Sequence, residues 1–280
     1  MDRWRLRRIS TRGLLYGGAL LLVLQASFPF FWMVSTSFKP PREVFAQPPT
    51  FIPQDPTWDN FSRLFTTTNF LIYFRNSMIV CGLTVLLTMA VSAAGAYSLT
   101  RYRYPGREQI AGLILCTYMF APIMVVIPFF ILVKKLGIEN THFALVLALT
   151  SFCLPFTLWL LRAFFQTIPI ELEQAAMVDG AGRLRAVIYV VLPLALPGII
   201  ATSIFTFILA WNDYIFTRIL IASDELKTLP VGVQDLFHSS LIDWGLIMAA
   251  GMMITIPALI FFVTVQRYLI RGWGAGAVKG

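Results

Sequence analysis

PIELEQAAMVDGAGRLRAVIYVVLPLALP, residues 169–197, is a polar interruption between two long apolar runs. Pro169 suits a helix start, and Glu171 and Glu173 place negative charge in a first turn, at the positive end of the helix dipole. Gly180 suits a left-handed stop. The stretch therefore predicts a short helix, a glycine turn and a second helix, with Asp179 available to cap the second. At helical spacing Glu173, Ala176, Met177 and Gly180 share one face. Ala175, Ala176, Ala181 and Gly182 keep the element thin enough for another backbone to approach, which is the composition of a docking element.

Outward from this loop the chain is overwhelmingly apolar. Its 280 residues are 58% hydrophobic and 13% charged, whereas soluble domains carry about 25% charged residues. Charge-free runs occupy residues 13–38, 76–100, 109–133, 140–161, 186–212 and 244–266, each longer than the roughly 20 residues that cross about 30 Å of hydrocarbon. The expectation is an all-α, polytopic membrane protein with six transmembrane helices. The first run is too long for a cleaved signal segment and reads as an uncleaved span.

Arginine orients the spans. Arg3, Arg5, Arg7, Arg8 and Arg12 precede the first, Arg101, Arg103 and Arg107 follow the second, Arg162, Arg183 and Arg185 flank the organising loop, and Arg267, Arg271 and Lys279 follow the last. The other side carries fewer basic residues, mixed with more acids over longer loops. The positive-inside rule then puts both termini and the organising loop in the cytoplasm. The net charge of +8 is a topology signal and gives no reason to invoke nucleic acid. Division follows: a cytoplasmic tail 1–12, a first span 13–38, an external segment 39–73, a core 74–267 containing the loop 168–190, and a cytoplasmic tail 268–280.

Catalytic chemistry has no candidate. The chain has no G-x-x-x-x-G-K-[ST] phosphate cradle, and His142 and His238 lack a second ligand at metal spacing. Cys81, Cys116 and Cys153 fit neither a metal motif nor a disulfide framework. The charge-free runs hold none of the buried ionisable groups that a proton-coupled carrier uses. Pro122, Pro128, Pro155, Pro193, Pro197 and Pro257 suggest kinked helices around a water-lined path. Asn212 and Asp213, where the fifth run leaves the membrane, are candidates for facing a solute path. Trp211, Tyr214 and Trp244 read as interface anchors.

The pattern Gln174-Ala175-Ala176, Asp179-Gly180-Ala181 and Val190-Val191-Leu192-Pro193 resembles the cytoplasmic coupling loop of ABC importer permeases. Gln174 stands where that family usually has glutamate, and Val190 stands for isoleucine, while Glu173 matches the family's double-glutamate form. The likeness continues through Ser37-Phe38-Lys39-Pro40, Asn60-Phe61, Asn76-Ser77, Ala96-Tyr97 with Arg101, Leu136-Gly137 with Asn140-Thr141, and Trp211-Asn212-Asp213. It ends in Thr255-Ile256-Pro257, Gln266-Arg267 and Gly276-Ala277-Val278-Lys279-Gly280, and together these pieces look like the carbohydrate-uptake, maltose-permease-like branch.

The resemblance implies a type I importer permease fold in a bacterial or archaeal inner membrane. It also implies a sister permease, two cytoplasmic ATPase subunits that hold ATP and magnesium, and an external solute-binding protein. The chain itself would be non-catalytic and bind no cofactor. Glu173, Gln174, Ala175, Ala176, Asp179, Gly180, Ala181 and Arg183 would couple to the ATPase, as would the tail Gly276, Ala277, Val278, Lys279 and Gly280. A sugar is the implied solute. A glycerol phosphodiester or phosphate ester is the alternative within the family, and a facilitative channel or secondary carrier the alternative outside it.

Overall fold

A computed structural model of the chain describes residues 2–238 and 242–274. The long elements are α1 (Asp2–Ser37), α2 (Phe70–Arg101), α3 (Arg107–Thr117), α4 (Pro122–Lys135), α5 (His142–Gln166), α6 (Ile170–Val178), α7 (Leu192–Trp211) and α8 (Trp244–Gly274). Shorter helical turns join them, and the described residues contain no strand. Helix already begins at Asp2 and continues to Gly274, so the stretches 1–12 and 268–280 that the sequence divides off as tails are helical through most of their length.

The charge-free runs become helices, one of them broken. Leu15–Ser37, α2, α5, Arg183–Trp211 and Trp244–Thr264 are each long and apolar enough to cross a membrane. The run 109–133 is covered by the pair α3 and α4, bent by 98°, which makes the sixth span if the pair is taken as one. Pro122 opens α4, and Ala121 before it is extended at ψ 143°. A residue preceding proline is pushed out of the helical region, and proline donates no bond to the turn before it, so the ladder stops at Thr117.

Two compact units divide the chain, residues 1–68 with 235–255 and residues 69–234 with 256–280. In the first unit, the fully buried Asn60 donates from Nδ2 to the Ser37 and Lys39 carbonyls, both at 2.9 Å, satisfying acceptors at the end of α1. Phe38, Trp58 and Phe61 close around that exit with ring centroids 4.9 to 5.5 Å apart. Gly245 lies against the Asn60 amide, where a Cβ would come within 2.7 Å of Nδ2. None of the apolar window of α1 is buried within the chain.

In the second unit α2, α5 and α7 pack together over a core of Ala96, Leu161, Phe165, Ile168, Val191 and Ala195. The small-residue stretch of α2 lets the helices cross closely: a Cβ on Gly95 would stand 2.7 Å from Leu158 Cδ1. Ser92 and Thr157 hydroxyls join α2 to α5 at 2.8 Å. At the opposite end Asn76 Nδ2 donates to the Glu225 and Lys227 carbonyls at 2.7 and 3.0 Å, and Ser77 Oγ accepts from Leu229 N at 2.7 Å. Asn140 Oδ1 accepts from the Ala222 and Ser223 amides.

Candidate functional site: the coupling loop

Pro169 stands at the N-cap of α6, and Glu171 and Glu173 occupy its first turn. The helix closes as the sequence predicts. Gly180 adopts φ +89°, its amide donates to Met177 O, and the Ala181 amide donates to Ala176 O at 3.0 Å. That pair of bonds is the left-handed glycine stop that satisfies the last carbonyls of a helix. Asp179 is the C-cap residue of α6 and no side-chain cap bond is made there, whereas Gly182 precedes the Arg183–Ala186 turn. The expected cap from Asp179 to the second helix is therefore absent.

After that turn, Val187–Val191 is a π segment leading into α7, with Leu192 N bonding five residues back to Val187 O. Pro193 supplies the physical reason, since it cannot donate to Tyr189 O and its ring crowds the preceding turn. Single turns of this kind sit disproportionately at functional places. The sequence marked Pro193 as one of six helix-kinking prolines and as the end of the Val190-Val191-Leu192-Pro193 pattern, without placing a π segment before it.

The two faces of α6 differ sharply. Glu173 is 3% exposed and Ala176 and Met177 are half-buried, so the face on which the sequence gathered these residues points into the chain. Glu173 accepts bonds from the Tyr97 hydroxyl and from Arg101 Nε, the latter at 3.1 Å, and Arg101 Nη2 also donates to Ile168 O at 3.0 Å. Glu173 is buried and the Arg101 side chain is 10% exposed. Removing one partner of a buried pair typically costs about 3–5 kcal/mol, because the other charge is left uncompensated.

Glu171, Leu172, Gln174, Ala175 and Val178 of α6 are exposed, as are Asp179 at its end and Leu184 in the turn that follows. Val178 is 86% exposed. Leu172, Val178 and Leu184 were missed in the sequence. Their signal was present, because a loop outside the hydrocarbon has no reason to show aliphatic side chains to water unless something covers them. Gly180 and Gly182 are exposed, and nothing lies within 4 Å of where a Cβ would be. Arg183 lies over the Tyr102 ring at 5.0 Å. Ala93, Ala94 and Tyr97 of α2 and Val187, Ile188 and Leu192 line an apolar cavity of about 610 Å³ beside it.

Asn212 and Asp213 have local work. The exposed Asn212 donates from Nδ2 to Ile208 O at 2.8 Å, completing the end of α7. Asp213 accepts from the Phe216 and Thr217 amides and from Thr217 Oγ1, at 3.2, 3.0 and 3.0 Å, and so starts the helix Ile215–Leu220. Burial pushes its carboxyl above the usual aspartate range, and these bonds oppose that rise. Gly276, Ala277, Val278, Lys279 and Gly280 lie outside the described residues.

The described residues are helical, and five of the helices are long and apolar enough to cross a membrane, or six if α3 and α4 make one span. Residues 87–274 match the family described as "Binding-protein-dependent transport system inner membrane component". The chain belongs to that family, the transmembrane subunits of ABC importers, and has the type I importer permease fold.

Curated relatives cover nearly all of it. The inner membrane ABC transporter permease protein YcjP of Escherichia coli is 37% identical over 98% of each chain. The trehalose/maltose transport system permease protein MalG of Thermococcus litoralis is 35% identical over 96% of this chain and 97% of its own. The diacetylchitobiose uptake system permease protein DasC of Streptomyces coelicolor is 36% identical over 94% and 95%. Among solved structures, a bacterial ABC transporter involved in the import of the acidic polysaccharide alginate superposes with a TM-score of 0.82 at 25% identity, over 96% of this chain and 98% of that one.

Proposed function

We propose that this chain is one half of the permease pair of an ATP-driven sugar importer, and that α6 is its contact with a cytoplasmic ATPase. The observation that carries the coupling role is the two-faced α6, clamped inward by Glu173 and presenting Leu172, Ala175, Val178 and Asp179 outward. A channel or secondary carrier has no use for such an element. The relatives named for trehalose/maltose and diacetylchitobiose support a sugar as the solute. A glycerol phosphodiester or phosphate ester is the reading this displaces.

On this proposal the chain is non-catalytic. Two ATPase subunits hold ATP and magnesium, a sister permease completes the path, and an external binding protein delivers the solute. Gln174, Gly180, Ala181 and Arg183 belong to the ATPase contact, as does the tail Gly276, Ala277, Val278, Lys279 and Gly280. Glu173 and Ala176 support it from the inner face. Asn212 and Asp213 shape the outer end of the path by fixing the turn after α7, rather than gripping the solute.

The test is to express the chain with the permease, ATPase and binding-protein genes beside it. The purified assembly is then assayed for ATP hydrolysis stimulated by disaccharides, oligosaccharides or phosphate esters. Stimulation by a sugar is expected. Stimulation by a phosphate ester alone would overturn the solute class, and the absence of any co-purifying ATPase would overturn the coupling role.

A further inference from the structure

We infer that the Glu173–Arg101–Tyr97 cluster is a relay that makes α2 move with the coupling helix, so that the α2–α5 pair, and not α7 alone, is driven from the docking site. The inference rests on the coupling role proposed for α6.

A displacement of α6 can leave it by two covalent routes, and each contains a joint. Toward α7 the chain passes Gly180 at φ +89°, Gly182, and the π segment Val187–Val191 that ends against Pro193. Toward α5 it passes Thr167, Ile168 and Pro169, which carry no regular helix. A nine-residue helix hung between two such joints would tilt on them and dissipate a push. The Arg101–Glu173 ion pair bypasses both joints.

Arg101 is the last residue of α2, and Tyr97 lies one turn before it. Glu173 takes bonds from both, one on each carboxylate oxygen, and the second donor of Arg101 holds Ile168 O at the α5 side joint. Two side chains on successive turns of α2 thus fix one carboxylate in angle as well as distance. The charge is desolvated, with Glu173 and Arg101 side chains 4% and 10% exposed, so solvent and salt screen the tie little. Behind it, α2 is locked to α5 through the Ser92–Thr157 bond and the Gly95–Leu158 contact. Packed helices of this kind shift as units between discrete arrangements. Glu173 is therefore a positioning residue: it acts through α2.

The test uses the full assembly with its ATPases in proteoliposomes, reading solute transported per ATP hydrolysed beside membrane abundance. Glu173→Gln and Arg101→Met are expected to assemble and to lower that ratio about tenfold, within the range that coupling mutations span. Tyr97→Phe, which removes only the hydroxyl, should give a smaller loss in a chain that folds. The exchange Glu173→Arg with Arg101→Glu restores an opposite-charge pair, and should recover much of the ratio. Normal transport per ATP in assembled Glu173→Gln and Tyr97→Phe would overturn the relay. So would an exchange variant that assembles but couples no better than the single changes, or losses confined to abundance. If the unaltered chain captures no ATPase, the coupling role itself has failed, which is a separate and visible result.

Discussion

Ala175 and Ala176 are neighbours with the same side chain and opposite surroundings. Ala175 is exposed on the outward face of α6, while Ala176 is half-buried and its carbonyl accepts the bond that closes the helix. Ala175→Trp should leave abundance and melting temperature unchanged while lowering uptake, because its bulk meets the partner. Ala176→Trp should lower melting temperature and abundance first, since overpacking typically costs about 1–3 kcal/mol. Equal thermal stability of the two in detergent would contradict this division.

Glu173 shows where sequence reasoning stopped at this scale. Helical spacing put it correctly on one face with Ala176 and Met177. Aliphatic, small and polar residues occur all round α6, with Met177 half-buried and Leu172 and Val178 exposed, so periodicity could not say which face was inward. The deciding partner, Arg101, is 72 residues away. Gln174→Glu is expected to leave uptake unchanged, because Gln174 is exposed and added negative charge near the start of the helix suits the dipole.

Among elements, the spans were legible wherever a charge-free run and an unbroken helix coincide, as in α2, α5 and α7. Pro122 marked a kink in the third run, but the size of the break between α3 and α4, 98°, was not legible, because hydropathy measures composition and is blind to backbone geometry. The paired polar motifs were legible only as patterns. Asn60, Asn76 and Asn140 turn out to be staples, each bridging backbone groups that its loop leaves unsatisfied. Asn76→Ala would strand the Glu225 and Lys227 carbonyls, at about 1–3 kcal/mol for a buried group left without its bond. A lowered melting temperature is the expected reading.

The same loop should respond to acid. Lys227 holds the Asp224 carboxyl below its ordinary value, burial opposes this, and Tyr73 and Asn69 add further bonds. A depressed folded value means that this stabilisation is present above the unfolded value of about 3.9 and is lost as pH falls below it. Hydrogen-exchange protection in residues 221–229 should drop over that window. Asp224→Asn should abolish the step.

For the whole molecule the question is which side faces the cytoplasm, and the second unit narrows it to a binary choice. The turn after α2 and the loop around α6 lie on one side, because Arg101 binds Glu173 and Arg162 Nη2 binds both Glu108 oxygens at 2.6 and 2.7 Å. The Asn76 and Asn140 bonds gather the start of α2, the turn before α5 and residues 222–227 on the other. Geometry does not distinguish the inner side from the outer, and we propose the assignment from the arginines. Arg101, Arg103, Arg107, Arg162, Arg183 and Arg185 all belong to the α6 side, and short arginine-rich loops stay in the cytoplasm. Both sets were read from the sequence as lying on opposite sides, and the two bond networks give that partition a cause independent of charge counting. A phosphatase reporter, active only outside, should be silent when fused after Lys279 or inserted after Arg103, and active when inserted after Gly137. A reporter active after Arg103 and silent after Gly137 would invert the topology and put α6 beyond reach of any cytoplasmic ATPase.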